Sequence, residues 1–473
     1  MNASSTIDDL GAQLRAKKIS SVELAKFYLD RLEKHGQRLG AVVTITRERA
    51  MREAEQADKD LAAGKTQNRP LLGIPYGVKD LLATKGIPTT WGAEPYRNQV
   101  FDHDATVVQR LTEGGAVLVA KLAMVELAGG FGYNNADASF TGPGRSPWNT
   151  KFWSGGSSSG PGAAVGAGLV PFAIGSETSG SIITPSAFSG VTGLRPTYGA
   201  VSRHGAMALC WTLDKIGPMC RTAADCNDVF RVISGEDEKD PTTRGVYISG
   251  RARWMATSAH AGNKRIAKIG FVKGTYEKVQ PAVRDNFFRS IDVLKGLGHA
   301  VKEIEYPDLP FGPTVSVIVD AEGASAFEDI IRDGRAKLLR AVADKVGGFE
   351  QAATLAIDYL RAQRVRTKLR QALLKLFDDV DMIAAPSRST VAYPIGPNFN
   401  DVYKDFSSGP SIIASMNLVG APGIAMPNGF GENTLPTSLQ LNAAPANETT
   451  LLNVAIHYQM AVEHHRKVPA EFA

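Results

Sequence analysis

A chain of 473 residues, 43% hydrophobic and 21% charged, can bury a large core and is bigger than a minimal domain. Its 53 basic and 48 acidic side chains leave a formal charge of only +5, and the basic residues are scattered along the chain. That scatter excludes a binder that tracks phosphates with a basic stripe, so no nucleic-acid partner is expected.

Cys210, Cys220 and Cys226 form no Cys-x-x-Cys pair, which argues against structural zinc or a disulfide framework and for buried thiols in a reducing compartment. Residues 1–9 carry acid where a signal peptide needs base. The longest weakly polar stretch, residues 160–175, is too short to span a bilayer and is broken by Pro161 and Pro171. A cytoplasmic protein with no membrane partner is the expectation.

Along the chain, Ile7, Leu10, Leu14 and Ile19 space an apolar stripe. Ser20 and Glu23 then form a capping-box pattern ahead of Leu24, Phe27, Tyr28 and Leu32. A third amphipathic stretch covers residues 47–63, so a helical segment is expected over about 5–65. Residues 73–80, Gly-Ile-Pro-Tyr-Gly-Val-Lys-Asp, are apolar and turn-rich, with Lys79 inside the run. A helix is predicted over 104–112, and strands over 116–120 and 170–174. Residues 147–153 read as a poor strand. Later strands are predicted at 269–272, 382–385, 423–426 and 438–441, and a last helix over 449–464. Strands alternating with helices indicate α/β layers around a largely buried sheet. The polar, patternless residues 236–263 suggest a surface loop or lobe boundary.

Two segments concentrate the chemistry: Ser154–Gly162, Ser-Gly-Gly-Ser-Ser-Ser-Gly-Pro-Gly, and Gly175–Ile182, Gly-Ser-Glu-Thr-Ser-Gly-Ser-Ile. Glycines let several backbone N–H groups converge on one point, and Pro161 suits the first turn of a helix. Neither segment holds the lysine of a phosphate-binding loop. Residues 156–160 satisfy Gly-x-Ser-x-Gly around Ser158, but the poor strand before them argues against a nucleophile elbow there. The eight histidines show no metal-binding spacing. Lys79 has two readings: a desolvated amine whose neutral form is a base, or a partner in a salt bridge to Asp80 or another acid.

Many of these runs resemble the amidase signature hydrolases, over nearly the whole chain and most closely over about 70–230. The matches include residues 73–80, 104–111, Gly-Gly-Ser-Ser at 155–158, Gly-Ser-Ile at 180–182, Gly-Val-Thr-Gly-Leu-Arg-Pro-Thr-Tyr-Gly at 190–199, and Leu-Asp-Lys-Ile-Gly-Pro at 213–218. Further on lie Ala-Pro-Gly-Ile-Ala-Met-Pro at 421–427 and Leu-Pro-Thr-Ser-Leu-Gln-Leu at 435–441. The resemblance implies one large α/β domain over 1–473, a mixed, mostly buried sheet covered by helices on both faces. Within it, the catalytic core would span about 70–230 and a peripheral lobe about 236–380.

By the same resemblance, Lys79 is the ultimate base, Ser157 the relay serine following a cis peptide bond, and Ser181 the nucleophile. Thr178, Ser179 and Gly180, with Ser181, would form the oxyanion hole. Ala128, Gly129 and Gly130, together with Ser158, would border the substrate, the small side chains leaving room for a bulky group. Phe131, Tyr133, Trp153 and Trp211 are either walls of that pocket or core. No metal or organic cofactor is implied.

The chain departs from the family pattern at Ser179, where glycine is common, and at Ile183, which replaces an arginine and lacks its charge. The expected activity is hydrolysis of a neutral, moderately apolar carboxylic amide through an acyl-enzyme, with ester or carbamate cleavage as side activities. The expected partners are a small amide and, at most, a second copy of the chain. The alternative is the glutamine-hydrolysing component of a tRNA-dependent amidotransferase. That component usually carries an acid near the segment that here reads Ser407-Ser-Gly-Pro-Ser411.

Overall fold

The capping pair expected at Ser20 and Glu23 forms. Glu23 N–H donates to Ser20 Oγ at 3.1 Å and Ser20 N–H to the Glu23 carboxylate at 2.8 Å. Together they satisfy two N–H groups that a first helical turn leaves without partners. Helix Ser21–His35 then buries Leu24, Ala25, Tyr28, Leu29 and Leu32, the face that three- and four-residue spacing defines. Helices Ile7–Arg15 and Arg47–Ala62 complete the N-terminal segment. A computed structural model describes residues 2–244, 264–407 and 409–473; residues 245–263 of the expected surface loop lie outside the described residues.

The strands, in chain order, are β1 Val42–Ile45, β2 Pro75–Lys79, β3 Val117–Leu122, β4 Arg145–Ser146, β5 Asn149–Trp153, β6 Phe172–Glu177 and β7 Thr192–Arg195. They continue as β8 Lys215–Cys220, β9 Lys268–Val272, β10 Ala300–Ile304, β11 Met382–Pro386, β12 Gly423–Phe430 and β13 Pro436–Ala443. Eleven of them form one sheet in the order β1-β3-β2-β6-β8-β7-β12-β13-β11-β9-β10. Pairing is parallel among β3, β2 and β6 and among β10, β9 and β11, and antiparallel elsewhere in that sheet.

Every residue of β2, β3, β6 and β8 is buried, as expected for strands covered on both faces. Their alternation divides the core into two layers. Leu118, Phe172 and Ile174 join one apolar cluster, while Val117, Val119 and Ala173 join another with Leu29, Leu32 and Ala163. Burying each of the valine, leucine, isoleucine and phenylalanine side chains contributes roughly 1.5–3 kcal/mol. The chain is therefore a single α/β domain with one large mixed sheet flanked by helices.

One expectation fails. Residues 149–153 do form a strand, β5, paired antiparallel with β4 outside the main sheet. Pairing and the burial of Trp153 at 3% exposure outweigh weak local propensity. The three cysteines are buried and unpaired. Among the described residues, no helix is long and apolar enough to cross a membrane.

Candidate active site

Lys79 ends β2, where the strand pattern turns its side chain into the protein interior; it is 0% exposed. Its Nζ lies 2.7 Å from Ser157 Oγ and 2.9 Å from Ser176 Oγ. The salt bridge to Asp80 does not form, because Asp80 pairs with Lys121 at 3.0 Å instead. Adjacent strand residues face opposite sides of the sheet, so Lys79 and Asp80 are separated by geometry. Burial pushes the Lys79 amine down to about 7 against the pull of Asp214 and Glu177.

Ser157 follows a cis peptide bond from Gly156 and is fully buried. Its carbonyl accepts the Val125 N–H at 3.0 Å, fixing the loop against the 125–130 turn. Ser158 takes another direction. It precedes helix Ser159–Gly166 without a side-chain capping bond, and its hydroxyl donates to the Ser176 carbonyl at 3.1 Å while accepting the Ser176 N–H at 3.3 Å. The Ser158 hydroxyl is thus held by strand β6. Ser158 N–H also donates to the Ser181 carbonyl at 3.2 Å, which joins the two glycine-rich segments directly.

The turn from Thr178 to Ser181 is anchored by Glu177. One carboxylate oxygen accepts the N–H groups of Ile182 and Ile183 at 2.8 and 2.9 Å. The other accepts from Arg195 at 2.9 Å and Asn417 at 2.7 Å. Burial would raise the Glu177 pKa, but Arg195, Asn417 and the backbone donors outweigh it and hold the group ionised. Gly180 has φ +103°, a conformation that a side chain would strain. Ser179 is exposed, while Ser181 is half-buried. No acceptor among the described residues takes the N–H of Ser179, Gly180 or Ser181, so these donors remain available to a developing anion.

Leu127 and Ala128 adopt φ +50° and +56°, held by bonds from Leu127 N–H to Trp91 O and from Ala128 N–H to Val125 O. The roominess expected at Gly129 and Gly130 is absent. A side chain at Gly129 would meet the Tyr133 ring at 2.6 Å, and one at Gly130 would meet Leu209 and Phe327 at 2.9 Å. These glycines accommodate packed neighbours. Only Ala128 of the three lines the adjoining cavity of about 380 Å³, together with Ser176, Thr178, Met207, Leu209 and Trp211. Among the four aromatics with two readings, Trp211 is 66% exposed and lines this cavity, whereas Phe131 and Trp153 are core at 3%. Tyr133 packs edge-on against Trp153.

Several contributors carry no role in the sequence reading: Ser176, Arg195, Asn417 and Lys215. Polar residues inside the otherwise apolar strands β6, β7 and β8 are the signal that could have found three of them. Asn417 lies on a helix and offered no comparable cue.

A single α/β domain on one large mixed sheet, with a buried lysine–serine pair under glycine-rich turns, has the architecture of the amidase-signature enzymes, which act on amide C–N bonds. The family model described as Amidase matches residues 23–452, and the chain belongs to that family. It is 37% identical over 496 residues to the A-subunit of a glutamyl-tRNA(Gln) amidotransferase from Roseiflexus sp. (strain RS-1), covering 98% of each. Among solved structures, it resembles a chain from a vestigial protein complex that bears on the origins of an s-triazine catabolic enzyme. That match has TM-score 0.87 and 28% identity over 96% of this chain and 98% of that one. It also resembles a peptide amidase in complex with the competitive inhibitor chymostatin, with TM-score 0.83 and 28% identity over 98% and 99%.

These relatives correct one expectation. Partners limited to a small amide and a second copy of the chain do not fit a family neighbourhood of proteins named as A-subunits of an amidotransferase. A protein so named is one component of a larger enzyme, and its chain matches this one almost end to end.

Proposed function

We propose that the chain hydrolyses the side-chain amide of glutamine as the amidase component of a tRNA-dependent amidotransferase, through a relay of Ser181, Ser157 and Lys79. The observation that carries the chemistry is the 2.7 Å bond between Lys79 Nζ and Ser157 Oγ, with the lysine buried and its pKa near 7. The near end-to-end similarity to amidotransferase A-subunits supports the substrate.

In this mechanism neutral Lys79 takes the Ser157 hydroxyl proton as Ser157 takes that of Ser181. Ser181 Oγ attacks the amide carbon, and the N–H groups of the Thr178–Ser181 turn hold the carbonyl oxygen as it becomes an anion. The proton on Lys79 returns through Ser157 to the nitrogen, the C–N bond breaks, and ammonia leaves. Water then attacks the acyl-Ser181 ester by the same relay and frees the acid. The free, buried thiols fit a cytoplasmic protein.

A second substrate reading, a neutral and moderately apolar amide, is favoured by the Leu81, Met207, Leu209, Trp211 and Ile216 wall of the adjoining cavity. Ammonia release from glutamine and from aryl and alkyl amides separates the two. Glutamine is expected to lead the panel, and an aryl amide leading it would replace the first reading by the second. The panel is run with the wild type, Ser181→Ala and Ser158→Ala. Loss of acyl-enzyme in Ser158→Ala but not in Ser181→Ala would reject the relay.

A further inference from the structure

Lys215 is a second fully enclosed lysine close to the candidate nucleophile, and the relay does not use it. It opens β8 directly across the antiparallel pair from Glu177, the residue that anchors the Ser181 turn. Its Nζ lies 3.5 Å from the Thr178 carbonyl oxygen and also donates to the Leu213 carbonyl. Thr178 is gripped from its other end too, its hydroxyl donating to Asp214 at 2.6 Å.

The surroundings of the two lysines differ in kind. Lys79 touches hydroxyls, which can donate as well as accept, so a neutral amine is satisfied there. Lys215 touches carbonyl oxygens, which only accept, and has the carboxylates of Glu177 and Asp214 nearby. Acceptors and anions favour an ammonium. Burial first and the Arg195 guanidinium second push the Lys215 amine down to about 7 against the pull of Glu177 and Asp214, so the ammonium is held at and below neutral pH.

The Thr178 carbonyl belongs to the same peptide unit as the Ser179 N–H, one of the free donors of the turn. A cation at the oxygen end of an amide draws electron density from its nitrogen and strengthens the N–H as a donor. We infer that Lys215 is a positioning residue for oxyanion stabilisation: its ammonium, lodged at the Thr178 carbonyl, holds and polarises the Thr178–Ser179 peptide whose N–H receives the tetrahedral anion. The inference rests on the proposed acyl-transfer reading and deepens it.

The test compares wild type, Lys215→Met, Lys215→Gln and Ser181→Ala on glutamine and benzamide, with phenylboronic acid as an inhibitor whose serine adduct carries a tetrahedral anionic oxygen. For Lys215→Met, kcat is expected to fall about 10- to 100-fold with KM within about twofold, and the boronate Ki to rise by the same factor as kcat falls. Lys215→Gln keeps a donor without the charge and is expected to lie between. A purely structural role would change thermal stability without this parallel between kcat and Ki.

The inference is overturned if kcat in Lys215→Met stays within about twofold, or falls while the boronate Ki is unchanged. A Lys215→Gln variant equal to wild type also overturns it, and decides the matter if Lys215→Met does not fold. Persisting hydrolysis in Ser181→Ala would instead reject the underlying relay, a result no Lys215 variant can mimic.

Discussion

Glu177 and Arg195 form an ion pair of 2.9 Å in which neither side chain has any exposed surface, and the free end of the Glu177 carboxylate anchors the N–H groups just after Ser181. Water cannot compensate either charge if its partner is lost. Arg195 also donates to the Ala421 carbonyl and to Asn442, so it ties β7, β13 and the segment before β12 to the turn. Arg195→Met is expected to destabilise the fold by about 3–5 kcal/mol, because it strands a buried carboxylate. Urea denaturation measures this; a loss below about 1 kcal/mol would mean that Glu177 finds another partner or a proton.

The depressed pKa of Lys79 has consequences for both rate and stability. The relay needs the neutral amine, so the ascending limb of kcat/KM is expected as pH passes through about 7. In the unfolded chain the amine titrates near its ordinary 10.5. Between those two values the unfolded state binds the extra proton, so folding stability rises with pH in that window. Lys79→Met removes that contribution, which amounts to at most about 1.4 kcal/mol per pH unit. Denaturant curves for both proteins at pH 7.5 and 9.5 provide the check, and identical slopes would mean that Lys79 is charged in the fold.

Asp80 and Lys121 form the second enclosed ion pair, at 3.0 Å, next in sequence to Lys79 but on another side of the sheet. Asp80→Asn is expected to cost about 3–5 kcal/mol by leaving Lys121 unpaired. Since Lys79 has no contact with this carboxylate, the pH at which activity rises should not move. A shifted limb in the rate profile would show that Asp80 tunes the base after all.

Trp211 stands at the cavity wall with 66% of its surface exposed. Trp211→Ala removes little packing, so stability should change by no more than about 0.5 kcal/mol. An apolar acyl group that leans on the indole should bind several-fold more weakly, while glutamine hydrolysis should barely change. Steady-state KM values for benzamide and glutamine decide it, and equal effects on both would remove Trp211 as a selectivity element.

Much of this was readable in one dimension. The capping pair at Ser20 and Glu23, the helical stripes and the buried strands follow from spacing, because local periodicity dictates which face an element must hide. The three residues of the proposed relay came from a family resemblance rather than from spacing alone. From local sequence, a lysine beside an aspartate is equally a base or half of a salt bridge.

Local pattern and resemblance together carried an α/β chain, its glycine-rich turns and the candidates Lys79, Ser157 and Ser181. That Asp80 serves Lys121 and leaves Lys79 to Ser157 emerges in three dimensions alone, because strand alternation sends neighbours to opposite sides. The same holds for Gly129 and Gly130, which make way for Tyr133, Leu209 and Phe327, for Ser158, which serves β6, and for Lys215, which meets Thr178. Each depends on contacts between residues far apart in the chain. Register and packing set those contacts, and no local pattern records them.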